Sequence, residues 1–305
     1  MILFYVEDDT CHAKSFYERF KKETNLPVAL ISHTDFIMNS QLESFNKGNQ
    51  IITKIKMPGS KSIISTEDIK IIYFSQYPNI YQSMIAFENE LDISYAVQEW
   101  TATITSVFVT RPEIKMINTI WPPYDLVTEM EQVLLMQQMG IKTIELFITN
   151  NTQKVKDYYS LWDKQVLYKT VRAGYDTAAM MEMIDLNRLD KLTLSPASFQ
   201  KLVNGKEISI CQLGKKFLVV ETYYDQEIRE YIETVIPEAL TESLIKMERA
   251  LNIPCILYHF IYDEDEDDYF AYNMNIYPTF DMLKMLFGES FEKLLTSYLL
   301  EEYNR

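Results

Sequence analysis

"DEDEDDYFAYNMNIYPTF", residues 263–280, opens with six consecutive acids and ends soon after two asparagines placed two residues apart. In a strand, residues two apart share a face. That period puts Tyr269, Ala271, Asn273 and Asn275 on one side and Phe270, Tyr272, Met274 and Ile276 on the other. One face is continuously apolar, and the other ends in two carboxamides. The preceding "PCILYHFIYD" (254–263) reads as a second strand, so the acids fall at a hairpin tip, where a run of like charge is expected to form a solvated turn. Two amides at the end of a strand, where acids would be the commoner functional choice, are the feature to explain.

Outward from this hairpin, the last third alternates strand and helix through "KLTLS", "ASFQKLV", "KEISICQLGKKFLVVETYY" and a helix at 237–251, and it closes on a helix at 280–303. Upstream, "LVTEMEQVLLMQQMG" (126–140) reads as a helix ended by Gly140, followed by the strand "KTIELFIT". The helix "NTQKVKDYYSLW" then leads into "KQVLYKTV" (164–171), a strand ending at Lys169 and Thr170. The first 110 residues alternate again. "ILFYV" is a buried strand, "TCHAKSFYERFKKE" an amphipathic helix opened by Thr10, "PVALIS" and "DIKIIYF" further strands, and 85–109 a long helix. Residues 39–66 mix short alternating runs with the turn signal "PGS" (58–60), and "RPEIKMINTIWPPYD" (111–125) carries three of the ten prolines and marks a boundary.

Composition narrows the function. The 305 residues, 47% of them apolar, can bury a sizeable core in one large or two to three smaller units. No uncharged apolar run reaches membrane-spanning length, and "MILFYVEDD" lacks the basic start of a secretory signal. Cys11, Cys211 and Cys255 are odd in number and far apart, which suits neither a disulfide framework nor a zinc spacing and points to a reducing cytoplasm. The net charge is −15: residues 1–117 carry 11 bases and 14 acids, the remainder 18 and 30. That field repels polyphosphate backbones, so nucleic-acid binding is not expected. Seven glycines are few for any phosphate loop, and no G-x-G-x-x-G occurs. Cys11 beside His12 on a helix points away from it and makes no dyad. The methionines at 130, 136, 139, 180, 181 and 183 read as core filling.

Taken together, "STEDIKIIYFSQYP" (65–78), "INTIWPPY" (117–124), "GIKTIELFITN" (140–150), "VLYKTVRAG" (166–174) and "PASFQKLVNGKEISICQLGKKFL" (196–218) resemble the ATP-grasp superfamily. The nearest branch is the peptide-modifying ligases, such as the microviridin-type macrocyclases (graspetide synthetases) and ribosomal-protein glutamate ligases. The resemblance covers most of the chain. It implies an α/β fold with an N-terminal domain over 1–117, a central ATP-grasp subdomain over 118–190 and a C-terminal subdomain over 191–305. The implied activity is ATP-dependent ligation of a carboxylate to an amine or hydroxyl through an acyl phosphate, on a peptide or small carboxylate, with ATP and Mg²⁺ as cofactors. Homodimerisation, or association with another biosynthetic protein, stays open.

The resemblance also implies roles residue by residue. Lys169 stands at the strand end whose lysine reaches the nucleotide phosphates, where a point charge suffices. "VLYK" is apolar until that last residue, which favours this role over that of a surface lysine. Phe199, Gln200, Leu202 and Val203 match the adenine-contacting hinge, and Glu207 matches the carboxylate that meets ribose or substrate. "YYDQEIRE" (223–230) offers Asp225 and Arg229 for a following Asp-to-Arg motif whose usual spacing is tighter. Asn275 matches the family's metal-holding asparagine. Asn273 stands where a glutamate is expected, His259 where an acid is expected, and Glu129 where an early helix position often carries a phosphate-contacting lysine. Two lost carboxylates matter, because a unit charge at 4 Å is worth about 4 kcal/mol at an effective dielectric of 20. The rival reading is therefore an ATP-grasp-derived pseudoenzyme that binds a peptide or partner without phosphoryl transfer.

Overall fold

A strand covered on both faces must be apolar at every position, and β1 (Ile2–Val6) is buried throughout. Residues 8–11, 49, 77–89, 110, 112, 119–127, 170, 172–178, 183–184 and 226–227 lie outside the description that this computed structural model supports. Thr10 and Cys11, the loop after Val171, most of "INTIWPPY" and the start of the 85–109 helix fall among them. The contacts divide the chain into two units, Met1–Trp121 with Tyr277–Arg305, and Pro122–Ile276.

In the first unit, β1, β2 (Val28–Ser32), β6 (Ile71–Phe74) and β7 (Lys115–Ile117) form a parallel sheet in the order β2-β1-β6-β7. Its two faces carry different rings. Phe4 and Tyr73 meet Phe16 of helix α1 (His12–Glu23) and Phe280. Tyr5 and Phe74 meet Phe36 of α2 (His33–Asn39) and Phe108, while Trp100 of α3 (Glu90–Ile104) packs on Phe36. The mixed 39–66 region is an antiparallel sheet of β3 (Gln41–Lys47), β4 (Gln50–Lys56) and β5 (Ile63–Ser65).

The second unit holds two antiparallel sheets. The smaller runs β10-β9-β11-β8, from β8 (Leu146–Thr149), β9 (Val166–Lys169), β10 (Ala179–Met180) and β11 (Ala197–Lys201). Helix α4 (Glu129–Gln138) opens with a capping box in which the side chains of Thr128 and Glu131 answer each other's backbone N–H. Gly140, at φ +80°, takes the left-handed position just beyond it. Helix α5 (Thr152–Leu161) is capped by Asn151 and packs Val155 and Tyr159 with Trp162, Val166 and Phe199. The larger sheet runs β14-β13-β12-β15-β16, from β12 (Lys206–Leu213), β13 (Lys216–Asp225), β14 (Ile228–Glu233), β15 (Cys255–Asp263) and β16 (Asp268–Asn275). Helix α6 (Glu238–Leu251) precedes β15, and α7 (Phe280–Tyr303) returns the chain to the first unit.

Three sequence expectations are corrected here. "KLTLS" is not a strand, because it continues the 3₁₀ stretch Asp185–Leu194. "ASFQK" is the strand instead, since its alternation buries Phe199 on one side and Ser198 and Gln200 on the other. Met136 and Met181 are buried, but Met130 and Met180 are exposed, so core filling describes only part of the methionine set. Cys211 and Cys255 are buried free thiols, as expected of core residues. No helix among the described residues is long and apolar enough to cross a membrane.

Candidate functional site

The β15–β16 hairpin departs from simple alternation at one point. His259 pairs with Asn273, yet the next residue, Phe260, pairs with Ala271, so Tyr272 is an extra residue in a β-bulge. A bulge leaves its extra residue outside the ladder and turns the strand's faces over. Ala271 therefore joins Met274, Phe260 and Tyr258 on the fully buried face, where period two had placed it with the amides. Tyr272, expected on the apolar face, turns to the opposite side. There its hydroxyl donates to Glu207 Oε1 at 2.6 Å and its ring lies 5.8 Å from that of His259.

At the same bulge the Tyr272 carbonyl accepts from two side chains of the smaller sheet. Lys169 Nζ and Gln200 Nε2 each donate to Tyr272 O at 3.2 Å. These donors share one face, because β9 and β11 are antiparallel with Lys169 opposite Ser198 and Gln200 opposite Leu167. Glu129, the first residue of α4, completes the group. Its carboxylate forms an ion pair with Lys169 and accepts the Ser198 hydroxyl. The lysine and glutamate side chains are only 7% and 8% exposed, so the pair is buried. Gln200 is 1% exposed, and among the described residues its buried Oε1 has no hydrogen-bond partner.

The residues named from sequence separate as follows. Lys169, Gln200, Glu207, His259 and Asn273 come together around Tyr272. Asn275, buried and opposite Leu257, shares their strand face two residues further on. Phe199 is placed on the opposite face of β11, stacked on Phe147 with ring centroids 5.2 Å apart in the core beside Trp162. Leu202 and Val203 are half-buried just past β11, with Leu202 N–H donating to Gln165 O at 2.9 Å. Arg229 is exposed on the edge strand β14, three strands from β15, and is not brought to Lys169. Sequence reasoning missed Ser198, Ser209 and Tyr272. The alternation of Ser198 with Gln200 was a usable signal, but nothing in sequence marks a bulge at Tyr272.

The donor set does not suit Mg²⁺. A hard cation prefers anionic oxygen, while this face offers the amides Asn273 and Asn275 and the imidazole of His259, whose Nδ1 lies 3.0 Å from Ser209 Oγ. The nearby carboxylates are engaged, Glu129 with Lys169 and Ser198, Glu207 with Tyr272. Among the described residues no three His, Cys, Asp or Glu side chains are grouped for a metal. The acidic tip offers no substitute. Asp263 stands four residues along β15 from His259, about 13 Å at strand rise. Within the tip, Glu264 and Asp268 bind Lys206 and Lys142 at 2.7 and 2.5 Å, and Asp263 Oδ1 accepts the N–H groups of Asp265 and Glu266.

Comparison of the whole chain with solved structures decides the architecture. Macrocyclase MdnC of Microcystis aeruginosa MRC, bound with precursor peptide MdnA, superposes with a TM-score of 0.78 at 12% identity over 97% of this chain and 99% of its own. The fold is that of the ATP-grasp ligases. A RiPP-associated ATP-grasp ligase of Chryseobacterium gregarium, in complex with ADP and a leader and core peptide, gives 0.77 at 17% identity over 99% and 97%. The ATP-grasp ligase PsnB, complexed with precursor peptide PsnA2 and AMPPNP, gives 0.78 at 15% over 100% and 98%. No protein-family model and no curated protein matches the sequence.

Proposed function

We propose that this protein binds a peptide on the ATP-grasp ligase fold without carrying out phosphoryl transfer, either alone or as a non-catalytic companion to an active ligase. The observation that carries this reading is the ion pair between Lys169 and Glu129. A lysine that is to neutralise incoming phosphate must present its charge, and here a buried carboxylate already takes it up. Replacing that carboxylate by a phosphate would strand Glu129 in a site of low dielectric, at a cost of several kcal/mol, about 3–5. The amides and imidazole at Asn273, Asn275 and His259 add to the cost, since they bring no formal charge to a metal. A peptide as the ligand is supported by likeness over nearly the full length to ligases solved with precursor peptides. The free buried thiols Cys211 and Cys255 agree with a cytoplasmic setting.

The second reading is the ligase itself, and one observation favours it. Gln200 Oε1 is a buried acceptor lacking a donor, on the face that carries Lys169, and a nucleotide amino group would satisfy it. In that reading Lys169 holds phosphates, with Gln200, Leu202 and Val203 around adenine and Glu207 at the ribose or substrate, while Phe199, in the core on the other face of β11, supports that strand without touching the nucleotide. The substrate carboxylate would take the γ-phosphoryl group of ATP, releasing ADP, and an amine or hydroxyl would then displace inorganic phosphate from the acyl phosphate, with Arg229 as the more remote candidate for a catalytic cation. Thermal unfolding with millimolar ATP or ADP, with and without Mg²⁺, separates the two, because a ligand bound only by the folded chain raises its stability. No Mg²⁺-dependent shift is expected for the native chain. ADP formation by the native chain in the presence of a candidate peptide would overturn the non-catalytic reading.

A further inference from the structure

The first unit carries a group of buried polar side chains that the residues around Lys169 do not involve. In the order β2-β1-β6-β7 the chain passes from β1 to β2 on one side and later adds β6 on the other, so the strand order reverses between β1 and β6. In open parallel sheets, ligands bind in the crevice outside the carboxyl ends of the strands at such a reversal. Each of the four strands here is followed by a polar residue: Glu7 after β1, His33 after β2, Ser75 after β6 and Asn118 after β7. Residues that leave a strand for a loop usually meet water, yet His33, Ser75 and Asn118 are buried and Glu7 is half-buried.

Contacts join these residues across the sheet. The Tyr5 hydroxyl lies 2.6 Å from His33 Nδ1. Burial, and after it the charge of the nearby Glu7 carboxylate, pushes that hydroxyl well above the ordinary tyrosine range, so it stays protonated. Ser75 N–H donates to Tyr5 O at 2.9 Å. Asn118 Nδ2 donates to Phe74 O at 3.0 Å and to Pro278 O at 2.6 Å, which uses both of its hydrogens. Asn118 Oδ1 is buried and, among the described residues, accepts no hydrogen bond. The residue is 3% exposed and holds a left-handed backbone, φ 62°, so this acceptor is fixed in place. A buried acceptor left without a donor is costly, and an occupant that donates removes the cost.

We propose that the carboxyl ends of β1, β6 and β7 form a binding site for a primary amine, with the Glu7 carboxylate as counter-charge and Asn118 Oδ1 taking one ammonium hydrogen. The ends of β1 and β7 are two strand spacings apart, about 10 Å, a distance that the two side chains and one ammonium group between them span. Glu7 and Asn118 Oδ1 offer a negative charge and an acceptor, which suits an ammonium and disfavours a carboxylate or phosphate. The net charge of −15 acts in the same sense. This site belongs to the first unit, and its test is independent of how Lys169 is read.

The experiment uses the full chain and three probes: Nα-acetyl-lysine amide, its norleucine counterpart, which lacks only the amino group, and glycine amide, whose amine is that of a chain start. The amines are expected to shift the Asn118 side-chain amide signals in NMR at millimolar concentration, and the norleucine probe to leave them in place. Glu7→Gln keeps the shape and removes the charge, and is expected to weaken amine binding by about tenfold. Should Glu7→Gln fail to fold, the comparison of lysine and norleucine probes on the native chain decides alone. Response to either amine supports the assignment, and the preferred one names the source as a lysine side chain or a chain start. Silence of Asn118 toward both amines, an equal response to the norleucine probe, or an unchanged affinity in Glu7→Gln would overturn the proposal.

Discussion

Replacing Lys169 by methionine removes one member of a buried ion pair while keeping most of the stem volume, so the cavity contribution is small. Among the described residues Glu129 is then left with the Ser198 hydroxyl alone, in a place where it is 8% exposed. An uncompensated buried charge costs about 3–5 kcal/mol, and we expect Lys169→Met to lose about 3 kcal/mol of stability. Glu129→Gln should cost a similar amount, since Lys169 keeps the Tyr272 carbonyl but loses its counter-charge. The double variant removes both charges and should return near the native value, so the two losses are expected not to add. The assay is urea unfolding read by amide exchange at β9 and β11, which reports this unit separately from the other. With a urea dependence of about 2 kcal/mol/M, each single variant should move the midpoint by about 1.5 M. If each single variant costs less than about 1 kcal/mol and the two simply add, the pair behaves as an exposed one. The account of why Lys169 is unavailable to phosphate then collapses with it.

Other consequences follow from particular residues. In Glu129→Gln the Lys169 charge is released, so ATP should raise the melting temperature more in this variant than in the native chain; equal shifts in thermal unfolding would contradict that. Asn273→Asp combined with His259→Asp restores two carboxylates across one strand pair, and the nucleotide-induced shift should become Mg²⁺-dependent; a shift still indifferent to Mg²⁺ or chelator would remove the metal assignment. A Cβ added at Gly205 would lie 2.3 Å from Tyr262 O and 2.5 Å from Ile261 Cγ2, so Gly205→Ala should cost about 2–3 kcal/mol in urea unfolding, and a neutral result would show that the turn relaxes freely. Lys142 beside Asp268, with the Tyr269 N–H, holds that carboxyl below the usual aspartate value near 3.9. Its contribution to stability is complete above that value and is lost as pH falls through the lowered one, so Lys142→Gln should move the Asp268 NMR titration upward; an unmoved midpoint would refute the pairing.

Sequence alone determined the features that follow from period and composition. All five positions of "ILFYV" are apolar because both faces of β1 are covered, and the acids of 263–268 form a hairpin tip because strands flank them. The ATP-grasp resemblance rested on such runs, and the fold they build matches solved ATP-grasp ligases at only 12–17% identity, as expected when burial constrains residue class more than residue identity. The position of Lys169 at a strand end was legible for the same reason. Its partner was not. Glu129 lies forty residues away in sequence, and only the packing of α4 against β9 and β11 brings the two charges together. The bulge was equally invisible, since one extra residue opposite β15 changes no local propensity, yet it moves Ala271 into the core and Tyr272 out of it. Strand identity is a local property of side-chain pattern. Which carbonyl receives the Lys169 and Gln200 side chains, and which charge is already taken, depend on register and on contacts between distant segments, and these only the tertiary structure decided.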